Sequence, residues 1–361
     1  MKLPSHGANP HYLYEALGME MPDTVIDFSA NINPLGPPEV LWNHWNDLFG
    51  DIDTYPDPHA TRLKKVISER EGIDENKILI GNGGAEIISL IGKWLNGKRV
   101  LIVEPAFSEY ERALRANHCL ISYDFMPVNG DLNFGQLIER ISSFDAVFFC
   151  NPNNPTGIYF PKQKMEWLLE ACDFYQCYLI VDEAFYDFTG EYESLVPLFD
   201  RSRYLILIRS LTKMYAIPGL RLGYCLAGRD IIRQLAKEQA HWSVNGIAQK
   251  AGELCLEEEE FVKRTQRFVK AEREKLFRFF HETGFLFSPS SVNFYLLKEK
   301  DSDDPCSLLK FLLQHGIVPR HTYNFPGLEG KWLRFAVKSE RENRQLTEVM
   351  QEWRKRNRSF L

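Results

Sequence analysis

The fold is indicated most clearly by the stretch AVFFCNPNNPTG, residues 146–157. Its five apolar residues are followed at once by a polar loop that contains two prolines and one glycine. Such a run is typical of a strand buried on both faces, and the loop is typical of an irregular turn. Similar short apolar runs, most of them followed by Gly, Pro, Asn or Asp, occur at residues 77–80, 100–103, 178–181 and 204–208.

Helix-like stretches separate these runs, as at residues 109–116 and 161–175. Because strand and helix alternate, we predict an α/β fold with a mainly parallel sheet and helices on both sides. The pattern changes near residue 230, where a nearly continuous helix to about residue 284 is predicted. Two strand-like segments and a helix follow, at residues 293–297, 332–337 and 307–315.

The length of the chain predicts more than one domain. Its 361 residues exceed one ordinary core, so we expect a large domain and a smaller α+β domain. Residues 1–35 are rich in Pro, Asn and Gly and are predicted to form an irregular arm that contributes to the small domain and the active site. We assign residues 36–244 to the large, ligand-binding domain and residues 245–361 to the small C-terminal domain.

The composition argues against several classes of protein. A formal net charge of −6 does not predict a basic surface for nucleic acid. The first residues lack a signal-peptide stretch, and no run of about 18 apolar residues predicts a membrane span. The seven cysteines show no spacing typical of a zinc site. We therefore expect a soluble cytoplasmic protein with free thiols, no metal, and no nucleic-acid or membrane partner.

Polar residues follow the predicted strands, and ligands bind at the carboxyl ends of parallel strands. The stretch GNGGAE, residues 81–86, opens a helix and forms either an anion site or a tight turn. Asn154 lies in the proline-rich loop after the third strand, where it either donates to a ligand or only shapes the turn. Asp182 ends the fourth strand, where a carboxylate either faces a ligand or caps a helix.

The residues after the fifth strand complete a recognisable set of groups. They are Ser210-Leu211-Thr212-Lys213, followed by Arg221 and Gly223. A lone lysine is usually a solvated surface residue, whereas a lysine beside hydroxyls and an arginine at a strand end suits a Schiff base. A pyridoxal cofactor needs such a lysine, a carboxylate for its ring nitrogen, a donor for its ring oxygen and a phosphate site. The strand ends offer each of these groups.

These motifs resemble those of the fold-type I aminotransferase superfamily over nearly the whole chain, in the same order and spacing. The resemblance implies pyridoxal 5′-phosphate as the cofactor, bound to Lys213, with Asp182 at its ring nitrogen and Asn154 at its ring oxygen. It also implies that the cofactor phosphate is bound by Gly84, Ala85, Ser210 and Arg221.

Three further residues match the superfamily. Phe107, in EPAF (residues 104–107), matches the aromatic residue that stacks on the cofactor, or else is a core aromatic. Arg334, in WLRF (residues 332–335), matches the arginine that binds the substrate carboxylate. Tyr55, in TYPD (residues 54–57), matches a tyrosine that reaches the cofactor phosphate of the neighbouring subunit, which implies a homodimer with shared active sites.

The stretch DFSANINPLG, residues 27–36, resembles the branch that contains histidinol-phosphate aminotransferases and threonine-phosphate decarboxylases. Three features favour the decarboxylases, which act in cobalamin biosynthesis. The start SHGANP, residues 5–10, resembles their arm near the substrate phosphate, or else is a floppy terminus. Arg320 and Arg334 suit a substrate with two anionic groups, although the aminotransferases also bind a phosphate. Phe185 replaces a tyrosine of many relatives and leaves Asn154 as the main donor to the ring oxygen.

The resemblance therefore implies decarboxylation of L-threonine O-phosphate, a small-molecule amino-acid phosphate, to aminopropanol phosphate. The residues implied in substrate binding are His6, Gly7, Asn31, Asn154, Arg320 and Arg334. Because the same residues serve transamination, a histidinol-phosphate aminotransferase is the alternative. A non-catalytic regulator domain is a third possibility, but such proteins carry a DNA-binding segment where this sequence has only a short arm.

Overall fold

Strands and helices alternate through most of the computed structural model, which describes residues 3–300 and 304–358. Strands β1 to β13 of the described residues are, in chain order, Ile26–Asp27, Ile78–Gly81, Arg99–Glu104, Leu120–Phe125, Ala146–Cys150, Tyr178–Asp182, Leu205–Ser210, Gly223–Ala227, Phe285–Phe287, Phe294–Glu299, Ile317–Val318, Arg320–His321 and Leu333–Ala336. Helices α1 to α14 are Pro10–Leu17, Glu39–Asn43, Trp45–Phe49, Thr61–Glu71, Gly83–Trp94, Glu109–Ala116, Phe134–Ile141, Lys162–Tyr175, Leu211–Met214, Arg229–Glu238, Gly246–Leu256, Glu259–Thr283, Cys306–Gln314 and Glu340–Arg358.

Seven strands form the central sheet, in the order β2-β8-β7-β6-β5-β3-β4. Strands β3 to β7 pair in parallel, whereas β8 is antiparallel to both β2 and β7. The predicted mainly parallel sheet is confirmed. Because β8 runs in the opposite direction, its amino end meets the carboxyl ends of β2, β5, β6 and β7 at one edge of the sheet. The polar residues next to these strand ends are thereby brought together.

The central sheet is covered on both sides, as its runs of consecutive apolar residues predict. Along β3, Leu101 and Val103 belong to one buried apolar cluster, and Val100 and Ile102 belong to another. The first cluster includes residues of α4, α7, α8 and α11, and the second includes residues of α5, α6 and α10. The two layers hold the strand ends in place from both sides.

A second, antiparallel sheet with the order β12-β13-β10-β9 lies in the C-terminal part of the chain. Helix α12 packs against β9 and α14. The amino-terminal segment is attached here, because β1 pairs in parallel with β11 and the Ala336 amide donates to the Phe28 carbonyl over 2.8 Å. The domain boundaries after residues 35 and 244 stay a prediction, and residues 1 and 2 of the arm lie outside the described residues.

Two predictions about local structure are corrected, and two strands were not predicted. The first 35 residues are not irregular throughout, because α1 and β1 lie within them. The helix predicted over residues 230–284 is divided into α10, α11 and α12; α11 begins afresh where Asn245 accepts the Ala248 amide over 2.8 Å. The sequence does not predict β4, an edge strand that mixes polar with apolar residues, or β8. None of the described helices is both long and apolar enough to cross a membrane.

Candidate active site

A cavity of about 580 Å³ lies at the edge where β5, β6 and β7 end and β8 begins. This volume is typical of small-molecule sites. It is lined by every residue that the sequence analysis proposed for the site except Tyr55; these are His6, Gly7, Asn31, Gly84, Ala85, Phe107, Asn154, Asp182, Ser210, Lys213, Arg221, Arg320 and Arg334.

Lys213 lies on the short helix α9, directly after β7. It lines the cavity together with the cationic side chains of Arg221 and Arg334. Burial, Arg221 and Arg334 lower the pKa of Lys213 to about 8, although Asp182 opposes the change. At this pKa roughly a tenth of the amine is unprotonated at pH 7 and about half at pH 8. An unprotonated amine is the form that attacks an aldehyde, so Lys213 is not a solvated surface lysine.

Asp182 ends β6 with its carboxylate buried at the cavity. Oδ1 accepts the Ala184 amide over 2.9 Å, and Oδ2 accepts the Tyr110 hydroxyl over 2.5 Å. Burial raises the pKa of Asp182, while Tyr110, the Ala184 amide and Lys213 oppose that rise. The sequence analysis missed Tyr110, which lies three residues after Phe107 and also lines the cavity. A spacing of three residues near the start of α6 is the pattern that could have indicated it.

The start of α5 and the end of β7 form an anion-binding corner. Gly83 has a φ of +72°, and a Cβ at this position would lie 2.6 Å from Arg221 Nη2. A Cβ at Gly223 would lie 2.9 Å from the Gly84 nitrogen, so glycine lets β8 approach the first turn of α5. The hydroxyls of Ser210 and Thr212 are 2.7 Å apart beside this corner. Amides at a helix N-terminus together with an arginine and hydroxyls suit a phosphate group.

Arg334 on β13 reaches the cavity from the second sheet. Its Nη1 donates to Asn154 Oδ1 over 2.5 Å, and its Nη2 donates to the Ser29 carbonyl over 2.8 Å. Because a guanidinium group only donates, the Asn154 oxygen faces Arg334 and the amide nitrogen is left to donate to a ligand. Burial and Arg320 lower the pKa of Arg334 to about 9, while Asp27 opposes the change.

The amino-terminal arm closes one side of the cavity. Arg320 Nη2 donates to the Ser5 carbonyl over 2.6 Å, and the Ala8 amide donates to Ser29 Oγ over 2.9 Å. A Cβ at Gly7 would lie 2.7 Å from the Ser29 carbonyl oxygen, so the arm requires glycine for this approach. The alternative of a floppy terminus does not describe these residues. The sequence analysis named neither Ser5 nor Ser29 as a site residue, because the arginines that they bind, Arg320 and Arg334, lie 315 and 305 residues away in the sequence.

Three aromatic residues from the sequence analysis take different positions. Phe107 lines the cavity, and its ring centroid lies 6.0 Å from that of Tyr110 and 5.9 Å from that of His6. Phe185 also lines the cavity and packs edge-on against Phe294. Tyr55 lies outside the cavity, where it is 82% exposed and packs against Trp242 at 4.7 Å between ring centroids.

The charges around the cavity favour an anionic ligand. Two carboxylates line it, those of Asp27 and Asp182, and Asp27 is held by the Ser29 amide over 2.7 Å. Four cationic side chains line it: Lys213, Arg221, Arg320 and Arg334. Excess positive charge in a cleft concentrates anions. Within the part of the chain that the structure describes, no three His, Cys, Asp or Glu side chains are grouped to hold a metal ion.

The two sheets and the buried lysine and carboxylate at the strand ends define an α/β enzyme of the fold-type I class. Residues 23–351 match the family aminotransferase class I and II, and the chain belongs to this family. It is 33% identical to the threonine-phosphate decarboxylase of Salmonella typhimurium over 346 residues, which cover 95% of this chain and 94% of that protein.

Two solved structures share the fold over almost their whole length. The histidinol-phosphate aminotransferase from Clostridium acetobutylicum has a TM-score of 0.86 and 29% identity, covering 91% of this chain and 99% of that one. The L-threonine-O-3-phosphate decarboxylase from Porphyromonas gingivalis has a TM-score of 0.80 and 26% identity, covering 90% of this chain and 98% of that one.

Family membership assigns pyridoxal 5′-phosphate as the cofactor, and the cavity fits this group. Lys213 offers an amine with a lowered pKa, and Asp182 offers a buried carboxylate. Glycine at positions 83 and 223 lets Arg221 and the first turn of α5 pack closely at the anion-binding corner, where a Cβ would clash. Two buried atoms of lining residues, Asn31 Oδ1 and Arg334 Nε, have no hydrogen-bond partner among the described residues. Buried polar atoms are nearly always paired, so these atoms suit a polar ligand.

Proposed function

We propose that the protein decarboxylates L-threonine O-phosphate to aminopropanol phosphate in cobalamin biosynthesis, with pyridoxal 5′-phosphate as its cofactor. The observation that carries this proposal is the pair of buried arginines, Arg320 and Arg334, that line one cavity. L-threonine O-phosphate has both a carboxylate and a phosphate for them. Histidinol phosphate has a phosphate but no carboxylate, so it engages only one of the two arginines, whereas the keto acid that an aminotransferase also binds would engage both; the pair supports the decarboxylase through its single substrate.

The cofactor residues have the following proposed roles. Lys213 binds the aldehyde, Asp182 faces the ring nitrogen, and the Asn154 amide nitrogen donates to the ring oxygen. Phe107 stacks on the ring, and the phosphate is bound by Gly84, Ala85, Ser210 and Arg221. When bound, the cofactor supplies a protonated ring that accepts the electrons of the bond broken at the substrate Cα.

The substrate residues set which bond breaks. Arg334 and Asn154 hold the carboxylate, while Arg320 and His6 hold the phosphate, with Gly7 and Asn31 beside them. Holding the substrate at both ends would fix the orientation of its Cα–carboxylate bond, and this orientation would select decarboxylation. The arm would exclude water from the cavity, and the Lys213 amine, which lines it, would donate the proton that replaces the carboxylate at Cα.

A second candidate function is that of a histidinol-phosphate aminotransferase. The higher TM-score of the Clostridium acetobutylicum enzyme favours it. Both reactions use the same lysine, carboxylate and phosphate site, so the backbone does not distinguish them. The orientation of the bound substrate decides whether the carboxylate or the Cα proton is lost.

The product test separates these functions. The purified protein with pyridoxal 5′-phosphate is incubated with each phosphorylated amine, with and without 2-oxoglutarate, and carbon dioxide and products are measured. We expect carbon dioxide and aminopropanol phosphate from L-threonine O-phosphate without a keto acid, and slow conversion of histidinol phosphate. Fast, keto-acid-dependent conversion of histidinol phosphate without carbon dioxide would instead establish the aminotransferase. Cofactor binding without turnover of either amine would indicate a non-catalytic domain.

We also propose a homodimer with shared active sites. Tyr55 is exposed outside the cavity of its own chain, and Trp42, Phe49 and Ile52 nearby in the sequence are 60–70% exposed. Such apolar exposure is typical of a protein interface. The cytoplasmic location and the lack of nucleic-acid and membrane partners stay predictions.

A further inference from the structure

Tyr110 is a buried residue of the cavity that the proposed reaction does not use. Its side chain is 1% exposed, and its hydroxyl donates to Asp182 Oδ2 over 2.5 Å. The ring stacks on Phe148 at 5.1 Å between centroids and lies edge-on to Phe107 at 6.0 Å. The phenol is therefore fixed between the core of the sheet and the aromatic residue proposed to stack on the cofactor.

The direction of this hydrogen bond is determined by its surroundings. Burial and the nearby Asp182 raise the pKa of Tyr110 well above its ordinary value, so the phenol keeps its proton and donates it. Cys150 and Lys213 are the other titratable groups near Asp182, and burial raises the pKa of the Cys150 thiol, which stays neutral. Tyr110 and the Ala184 amide thus each donate to one carboxylate oxygen.

We propose that Tyr110 is a positioning residue that keeps the Asp182 carboxylate ionised and aimed at the ring nitrogen of the cofactor. This inference rests on the proposed cofactor site, but it is independent of which bond is broken at the substrate. A buried carboxylate with fewer donors holds its proton more tightly. Without the Tyr110 hydroxyl, the proton shared between Asp182 and the ring nitrogen shifts toward Asp182, and the ring becomes a weaker electron acceptor.

The test is Tyr110→Phe, with the ring nitrogen of the bound cofactor observed by ¹⁵N NMR. We expect the ring-nitrogen resonance of the wild type in the range of protonated pyridine and that of the variant shifted toward unprotonated pyridine. We expect kcat to fall about 10- to 100-fold, as the loss of a hydrogen bond to a charged group predicts, with little change in KM. In an Asp182→Asn background, Tyr110→Phe should have little further effect on kcat.

The matched control is Tyr14→Phe, which also removes a buried hydroxyl, one that donates to the Leu313 carbonyl over 2.7 Å, away from the cavity. It should leave the ¹⁵N resonance and kcat unchanged. If Tyr110→Phe does not fold, 3-fluorotyrosine at position 110, a more acidic donor of similar shape, should move the resonance the opposite way. A cofactor resonance unaffected by either change at position 110 overturns the inference and leaves the proposed function intact. A wild-type protein that binds no cofactor overturns both.

Discussion

Individual residues of the cavity carry charges whose pKa values are displaced by burial. Lys213 and Arg334 both have lowered pKa values, about 8 and about 9, because each is buried near another cation. Burial raises the pKa of Asp182, although Tyr110, the Ala184 amide and Lys213 oppose that rise. Buried groups favour their neutral forms unless a partner opposes this. The cavity therefore holds a reactive amine and favours anionic ligands.

The lowered pKa of Lys213 predicts how cofactor incorporation depends on pH. The protonated amine cannot attack an aldehyde, so the rate of incorporation into the cofactor-free protein should rise as pH increases and level off above about 8. An ordinary lysine would level off above about 10.4. Stopped-flow absorbance measures the rate. Arg334→Met should move the midpoint of this pH dependence to higher pH, because it removes one cause of the lowered Lys213 pKa. Lys213→Ala should give a protein to which borohydride attaches no cofactor. A wild-type midpoint near that of free lysine would refute the assignment.

Asp182 is tested by Asp182→Asn. We expect a folded protein with a strongly reduced kcat, because an amide cannot hold the ring nitrogen protonated as a carboxylate does. Circular dichroism checks the fold, and single-turnover kinetics measures the chemical step. An unchanged rate constant for that step would mean that Asp182 has only a structural role, as the acceptor of the Ala184 amide.

Two elements of the fold set the shape of the site. The start of the arm, residues 3–9, is held to the C-terminal part of the chain, because Arg320 and Asn324 both donate to the Ser5 carbonyl. Beneath the strand ends, a buried ionic cluster joins β7 to α4: Arg209 is fully buried and lies 2.8 Å from Glu183 and 2.6 Å from Glu71. Residues 3–9 cover one side of the cavity, and the ionic cluster fixes the ends of the strands that form its floor.

The arm is tested through the Michaelis constant. His6→Ala, Arg320→Ala and deletion of residues 1–8 should each raise KM for L-threonine O-phosphate by about 10- to 150-fold, the cost of one charge-assisted contact to a phosphate. Cofactor affinity should change little. His11→Ala is the control, because His11 is an exposed histidine of the same segment that does not line the cavity. Unchanged KM values in all three variants would separate the arm from the substrate.

The ionic cluster is tested by Arg209→Met. Removing the arginine leaves the Glu183 and Glu71 carboxylates without their cationic partner, so the free energy of unfolding should fall by about 3–5 kcal/mol. Urea denaturation measures this change. The control is Arg233→Met, which breaks an exposed pair with Asp230 and should change stability by less than about 0.5 kcal/mol. A similar small effect for both variants would show that the cluster is not needed for stability.

At the scale of the whole molecule, the cavity is assembled from both sheets and the arm. Asn154 and Arg334 meet although 180 residues separate them, and Ser5 and Arg320 meet across 315 residues. The proposed homodimer would add Tyr55 from a second copy to this assembly.

Hybrid dimers test the shared site. Lys213→Ala and Tyr55→Ala variants, each nearly inactive, are mixed, dissociated and reassociated. In a hybrid, one site carries both substitutions and the other carries none, so random mixing should restore about a quarter of the wild-type activity. Light scattering gives the oligomeric state. A monomer, or no recovery in confirmed hybrids, would contradict a site shared through Tyr55.

The sequence by itself determined the elements whose chemistry is local. The apolar runs predicted five strands of the central sheet, because a strand buried on both faces needs consecutive apolar residues. The residues next to the strand ends indicated Lys213, Asp182, Asn154 and Arg221, because ligand groups recur at that edge of a parallel sheet. Edge strand β4 was not predicted, because none of its residues is fully buried and its pattern mixes polar with apolar residues.

Only the tertiary structure decided the contacts between residues far apart in the chain. It showed that Tyr110 donates to Asp182, 72 residues away, and that Ser29 and Ser5 hold Arg334 and Arg320 through their backbone carbonyls. A carbonyl group belongs to every residue, so no sequence pattern marks the ones that accept from an arginine. Strand ends are determined locally by hydrophobicity, whereas partners of a buried charge are determined by which chain segments the fold brings within hydrogen-bond distance.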